Sequence, residues 1–159
     1  MGLDMYLYLR KYESLGSWDK NFNSKKRCFY PVELREFSKK IAKSNFLSKE
    51  TCFQVGYWRK ANAIHKFFVD MCADGTDDCS KVYVDFEKLK DLKERVETVL
   101  KDHSKAAKLL PSTSGFFFGS TDYDEWYYED LKYTLKLITE VIEFVKTHKE
   151  YDVIYQASW

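Results

Sequence analysis

Both ends of the chain alternate apolar and polar residues, which is the period of two that a half-buried β-strand requires. The apolar positions are Leu3, Met5, Leu7 and Leu9 at the start and Val153, Tyr155, Ala157 and Trp159 at the end. Terminal strands are usually held in a sheet, so we expect both strands in one sheet with helices packed on one face.

The sequence between these strands has mostly helical periodicity. An exposed loop is predicted over residues 13–27, a turn over 74–78, and short extended segments over 51–57 and 82–84. Apolar residues spaced by three and four predict about four helices. The predicted helices cover residues 31–45, 58–72, from Asp85 to before Pro111, and 122–147. The fold class is therefore α+β, with a small mixed or antiparallel sheet, in a single domain over residues 1–159.

The composition also indicates a compartment. No apolar stretch approaches the roughly 18 to 20 residues of a membrane span, and the first residues lack the pattern of a secretory signal. The cysteines form no paired motif, so reduced thiols in a cytoplasmic protein are expected. These cysteines are Cys28, Cys52, Cys72 and Cys79.

A first candidate site is the segment 55–65. If the predicted helix begins at Trp58, then Asn62 and His65 border its apolar stripe on either side of Trp58. A polar fringe beside an aromatic side chain is typical of a pocket edge, with Arg59 on the outer side. The alternative is a partly buried His65 that is hydrogen-bonded beneath neighbouring loops.

A second candidate site is the segment 115–130, where glycines and aromatics precede an acidic helix start. No phosphate-binding glycine motif is present, and acidic side chains in a first turn satisfy the helix dipole. Carboxylates from one helix turn do not converge as a Mg²⁺ site requires. An acidic and aromatic surface for a basic partner is the alternative, with Tyr123, Glu125 and Trp126 as contacts. The carboxylates are Asp122, Asp124, Glu125, Glu129 and Asp130.

Other chemistry has little support. The spacing of His65, Cys72 and Cys79 does not fit the common zinc sites, and no nucleophile motif is present. The basic residues of the first third of the chain lack a nucleic-acid-binding motif and are interpreted as solvated surface. We therefore expect no metal, no cofactor and no nucleic-acid partner. These basic residues are Lys25, Lys26, Arg27, Lys39, Lys40 and Lys43.

Several segments resemble a set of small bacteriophage and prophage proteins. They are residues 1–7, 55–68, 102–104 with 109–111, 115–131 and 155–159. The resemblance leaves out residues 13–51 and carries no activity or functional residue with it. It implies the cytoplasm of an infected or lysogenic bacterial cell, where such proteins often act by binding a host component, including proteins of host defence.

We therefore expect a phage-like accessory protein that binds a host macromolecule, most simply a protein, without catalysis. The alternative is a pocket near Trp58, His65 and Tyr123 that binds or turns over a small, nucleotide-like ligand. The functional surface is predicted where the start of the Trp58 helix meets the segment 119–126. The predicted binding residues are Trp58, Arg59, Asn62, His65, Tyr123, Glu125 and Trp126.

Overall fold

The computed structural model describes residues 2–14 and 48–159. The strands within these residues are β1 (Asp4–Ser14), β2 (Ser48–Arg59), β3 (Val82–Tyr83) and β4 (Tyr151–Ser158). The helices are α1 (Asn62–Cys72), α2 (Phe86–Lys101), α3 (Ala106–Leu109) and α4 (Glu125–Thr147). A single 3-10 turn, His103–Lys105, joins α2 to α3.

The strands form one antiparallel sheet in the order β2-β1-β4-β3. The two terminal strands therefore lie side by side at its centre, and β3 pairs with β4 through Val82 opposite Tyr155 and Tyr83 opposite Ile154. With four helices in the described part of the chain, the predicted α+β class is confirmed, and the sheet is antiparallel rather than mixed.

The chain divides into two compact units. The first contains residues 1–10 and 52–159, and the second contains residues 11–51. In the second unit, the described residues are the outer ends of β1 and β2, where the ammonium of Lys49 lies 3.9 Å from the Glu13 carboxylate. The predicted single domain stays a prediction.

The core of the first unit lies between the sheet and the helices. The apolar positions of β1 are buried as the alternation predicts, and α2 and α4 each bury a stripe of residues spaced by three or four. Each large apolar side chain that is fully buried contributes roughly 1.5 to 3 kcal/mol. The stripe residues with no more than 4% exposure are Leu89, Leu92, Val96 and Val99 in α2, and Leu131, Ile138, Val141 and Ile142 in α4.

The predicted helix start at Trp58 is wrong. Trp58 belongs to β2, which runs to Arg59, and α1 begins only at Asn62. The chain leaves β2 at Lys60, whose φ of 62° lies in the left-handed region. This conformation fits neither a β-strand nor a right-handed helix. Asn62 and His65 do share a helix, but the predicted angular relation of each to Trp58 does not exist.

The predicted start of the last helix is also wrong, although its end at Thr147 is confirmed. Asp124, rather than Asp122, caps α4, because its carboxylate accepts the backbone N–H of Tyr127 at 3.0 Å. Asp122 instead accepts the hydroxyl of Ser120 at 3.0 Å, in a turn before the helix.

In the first third of the chain, the predicted loop is wrong at residues 13 and 14, where β1 continues. The rest of that loop and the predicted helix over 31–45 lie outside the described residues. The predicted strand over 51–57 is longer at both ends, since β2 covers Ser48–Arg59.

Two further expectations concern the compartment. Cys72 and Cys79 are free thiols, and burial raises the pKa of Cys72 to about 11, so it is protonated at neutral pH. Cys28 lies outside the described residues. Among those residues, no helix combines the length and the apolar character that a bilayer crossing demands. The predicted cytoplasmic location stays a prediction.

We predict that deletion of residues 155–159 unfolds the protein. β4 is a central strand, and Tyr155 is only 2% exposed, with its ring stacked on Phe68 at 4.1 Å between centroids. Loss of a buried aromatic costs about 3 to 5 kcal/mol, and the deletion also removes half of β4 from a domain that is stable by about 5 to 15 kcal/mol. Circular dichroism during thermal melting measures the loss.

Trp159→Ala is the matched control, because this side chain is 47% exposed. It donates one hydrogen bond to Asp77 at 3.1 Å, so the expected cost is about 1 kcal/mol. A truncated chain that melts cooperatively near the parent temperature would contradict the central role of β4.

Candidate functional site

A cavity of about 340 Å³ opens between the β2–α1 junction and the segment that leads into α4. This volume lies at the lower end of the range for small-molecule sites. The lining residues come from two stretches of the chain, with 59–64 on one side and 119–131 on the other. On the second side they are Gly119, Ser120, Asp122, Asp124, Trp126, Tyr127, Asp130 and Leu131.

Two left-handed residues shape the junction. Lys60 turns the chain from β2 into α1, and its N–H bonds the carbonyl of Leu3 at 2.8 Å. Gly119 has a φ of +86°, and a Cβ there would lie 3.2 Å from Cβ of Lys60. Only glycine takes this conformation readily and allows so close an approach, so the Gly119 loop packs directly against Lys60.

The side chain of Asn62 holds the two sides of the cavity together. Its amide nitrogen donates to the carbonyls of Phe118, at 3.1 Å, and Ser120, at 2.7 Å. Its amide oxygen accepts the N–H of Thr113 at 3.2 Å. These three bonds tie the loop 113–120 to the first turn of α1, so Asn62 has a positioning role in the cavity wall.

The charges of the cavity are divided between its two sides. Arg59 and Lys60 are exposed cations at the β2–α1 junction, whereas Asp122, Asp124 and Asp130 belong to the other side. Asp122 and Asp124 accept hydrogen bonds from Ser120 and from the start of α4, respectively. Within residues 2–14 and 48–159, no ion pair involves Arg59, Lys60 or Asp130, so these three side chains can pair with a ligand.

Asp130 is a carboxyl group of the cavity lining whose pKa is shifted toward neutral pH. Burial, with the charge of Asp124 as a second cause, raises its pKa to about 6. Its backbone is fixed in the core, because the Thr134 hydroxyl donates to the Asp130 carbonyl at 2.7 Å and accepts the indole N–H of Trp58 at 2.8 Å. A carboxyl group that titrates near neutral pH can either donate or accept a hydrogen bond to a ligand.

The start of α1 adds a backbone donor. The N-cap position, Ala61, has no side chain that could accept a hydrogen bond, and the N–H groups of Ile64 and His65 both bond the Ala61 carbonyl. The N–H of Ala63, a buried residue of the cavity lining, has no acceptor in the described part of the chain. The positive end of the helix dipole lies at the same place and favours an anion.

Trp126 lies at the rim of the cavity and is 79% exposed. It makes no ring contact or hydrogen bond with any described residue. Its neighbour Glu125 is exposed in the first turn of α4, where a negative charge is favourable, but it does not line the cavity. Trp126 therefore presents a large apolar surface to solvent rather than to the core.

The structure brings three predicted site residues together in the cavity lining: Arg59, Asn62 and Trp126. Tyr123 lies beside the cavity, where its ring packs edge-on against Tyr127 at 5.0 Å, and Glu125 is its exposed neighbour on α4. Trp58 and His65 lie in the core, being 2% and 1% exposed, respectively.

His65 takes part in a buried chain of hydrogen bonds away from the cavity. Burial raises the pKa of Tyr155 well above its usual value, so its hydroxyl stays protonated, and this hydroxyl is hydrogen-bonded to Nδ1 of His65 at 2.7 Å. Nε2 of His65 then donates to Asp77 at 2.9 Å, and Phe118 packs edge-on against the imidazole. The structure therefore agrees with the alternative of a hydrogen-bonded His65, although the side chain is fully rather than partly buried.

Sequence reasoning did not find the roles of Lys60 and Asp130. No sequence signal marks Lys60, because a lysine rarely adopts a left-handed conformation. Asp130 could have been found from its position, since it is flanked by the buried Tyr127 and Leu131 on the same helix. Within the described residues, no group of three or more His, Cys, Asp or Glu side chains is placed to hold a metal ion.

No protein-family model, curated protein or solved structure matches the chain. The resemblance to bacteriophage and prophage proteins stays a prediction. The chemistry of the cavity is therefore inferred from its own residues.

We predict that Asp130→Asn stabilises the protein above about pH 6. Because the pKa of Asp130 is raised on folding, the folded state binds the proton more tightly than the unfolded state, and stability falls as the pH rises from about 4 to about 6. After allowance for solvent screening, the asparagine variant should gain about 1 kcal/mol at about pH 7.5 and nothing below about pH 4. Melting curves across this pH range measure the difference.

Glu140→Gln is the matched control, because Glu140 is exposed on the same helix. It should leave the pH dependence of the melting temperature unchanged. If the melting temperatures of the parent and Asp130→Asn change with pH in the same way, ionisation of Asp130 does not destabilise the folded state.

Proposed function

We propose that this chain is a non-catalytic binding protein and that it binds its partner at the cavity and its rim. The observation that carries the proposal is the exposed Trp126 beside charges that have no partner among the described residues. A largely exposed tryptophan that lines the same cavity as Arg59 matches the composition of binding hot spots.

A protein partner fits this surface best. Phe116, on the loop that Asn62 ties to α1, is 91% exposed, and Tyr123 is 38% exposed beside the cavity. Exposed aromatics around a cleft with a charged rim are typical of protein interfaces. In the bacteriophage setting that the resemblance implies, the proposed partner is a host protein, with host defence as one source.

Binding is favoured over catalysis by the way the reactive groups are used. His65 is buried with both ring nitrogens engaged, and Asp124 is occupied as a helix cap. Asp122 accepts a hydrogen bond from Ser120. The Asp130 carboxylate has no hydrogen bond to a Ser, Thr or Cys side chain in the described part of the chain, so no activated nucleophile accompanies it.

Trp126→Ala tests the proposed surface. Immobilised parent protein should capture a host protein from a bacterial lysate, and the purified pair should bind at least about 30-fold more weakly with the variant, as expected for a hot spot worth about 2 kcal/mol. The melting temperature should change little, because Trp126 is 79% exposed. Tyr83→Ala, which removes a 53% exposed aromatic from β3, should bind like the parent. If Trp126→Ala and the parent capture the partner equally, the interface does not include Trp126 and lies elsewhere on the protein.

A second candidate function is the binding of a small molecule inside the cavity. Its volume and the unpaired Arg59, Lys60 and Asp130 favour this function, with the ligand beside Arg59 and Asp130 rather than near Trp58 and His65. Native mass spectrometry of freshly purified protein should show an adduct that weakens in Arg59→Ala. An adduct that persists unchanged in Arg59→Ala would place the ligand outside the cavity.

A further inference from the structure

We propose that the cavity recognises a small zwitterion of the α-amino-acid class, in which one carboxylate and one ammonium group are a few bonds apart. This inference rests on the second proposed function and names the ligand. The cavity offers complementary groups for both charges, since Arg59 and Lys60 lie on one side and Asp130 lies on the other.

The cationic side is suited to a carboxylate. Arg59 and Lys60 have no anionic partner in the part of the chain that the structure describes, and the unbonded N–H of Ala63 lies at the positive end of α1. A guanidinium binds a carboxylate through two parallel hydrogen bonds. A ligand carboxylate here would satisfy the charges and the buried backbone donor together.

The acidic side is suited to an ammonium group. Asp122 and Asp124 already accept hydrogen bonds from within the protein, whereas the Asp130 carboxylate has no hydrogen-bond donor among the described residues. An ammonium group at Asp130 would stabilise its ionised form. One carboxylate residue and two cationic residues therefore line the same cavity.

Other ligand charges fit this lining less well. A nucleoside polyphosphate would bring several negative charges close to Asp122, Asp124 and Asp130, and a diamine would face Arg59 and Lys60. A zwitterion avoids both repulsions. The volume of about 340 Å³ also suits a molecule of amino-acid size better than a dinucleotide.

Trp126 suggests the side chain of the ligand. Its exposed ring at the rim offers a flat apolar surface, on which an aromatic or large aliphatic side chain can pack. L-phenylalanine is therefore the first probe among the common amino acids.

The test begins with thermal-shift titrations of the 159-residue chain against each common amino acid at millimolar concentration, with AMP as a comparison. Isothermal titration calorimetry then compares the amino acid that stabilises most, for which we expect L-phenylalanine, with two derivatives. The N-acetyl derivative lacks the ammonium group, and the amide derivative lacks the carboxylate. Both should bind at least about 10-fold more weakly than the zwitterion.

Two variants assign each charge to its side of the cavity. Asp130→Asn should weaken binding of the zwitterion about 10-fold. It should leave the affinity for the N-acetyl derivative unchanged, because that derivative has no ammonium group to interact with Asp130. Arg59→Ala should weaken binding of the zwitterion to a similar degree and leave the affinity for the amide derivative unchanged. Glu140→Gln, on the exposed face of α4, should bind all three compounds like the parent.

Three results would overturn the inference. Saturable binding of AMP without any amino acid would reject the zwitterion while keeping a small-ligand function. Equal binding of the zwitterion and its N-acetyl derivative would remove Asp130 from recognition. If none of the probes binds saturably, the zwitterion is rejected. A native adduct of another mass would then keep the small-ligand function but with a different ligand.

Discussion

The pairing of the first and last strands at the centre of the sheet is the constraint on which the rest of the described structure depends. β1 and β4 lie side by side, and their buried apolar residues share one core cluster with those of α1, α2 and α4. At the far end of this pairing the Arg10 guanidinium lies 2.8 Å from the Asp152 carboxylate. β2 then adds beside β1 and delivers its end, at Arg59 and Lys60, to the start of α1. The cavity arises at this junction.

Much of this fold could be predicted from periodicity alone. Alternation identified β1 and β4 because each has one face in the core, and the three-to-four spacing identified α2 and α4 for the same reason. The boundary at Trp58 was wrong, because a tryptophan packs equally well from a strand or from a helix. The feature that ends β2 is the backbone conformation of Lys60, which residue type does not reveal.

The location of the candidate site could be predicted better than its chemistry. A surplus of polar and aromatic residues in segments 58–65 and 119–126 pointed to the region where the cavity lies. Asn62 was expected to contact a ligand, but its amide is used to hold the loop 113–120. In the sequence, Asp130 is distinguished only as one of several clustered carboxylates near the start of α4. Its partial burial depends on how α4 packs against β2, which is a tertiary contact with no local signal.

Asp130 connects the packing of α4 with the proposed binding site. The indole of Trp58 and the hydroxyl of Thr134 anchor the Asp130 backbone to the core, so its carboxylate stays partly buried in the cavity wall. No cation among the described residues offsets that burial, and the ionised form therefore costs folding free energy at neutral pH. A ligand ammonium group would remove this cost on binding, whereas an ion pair within the protein would remove it in the free protein as well. An uncompensated carboxylate is thus the kind of local destabilisation that binding sites retain.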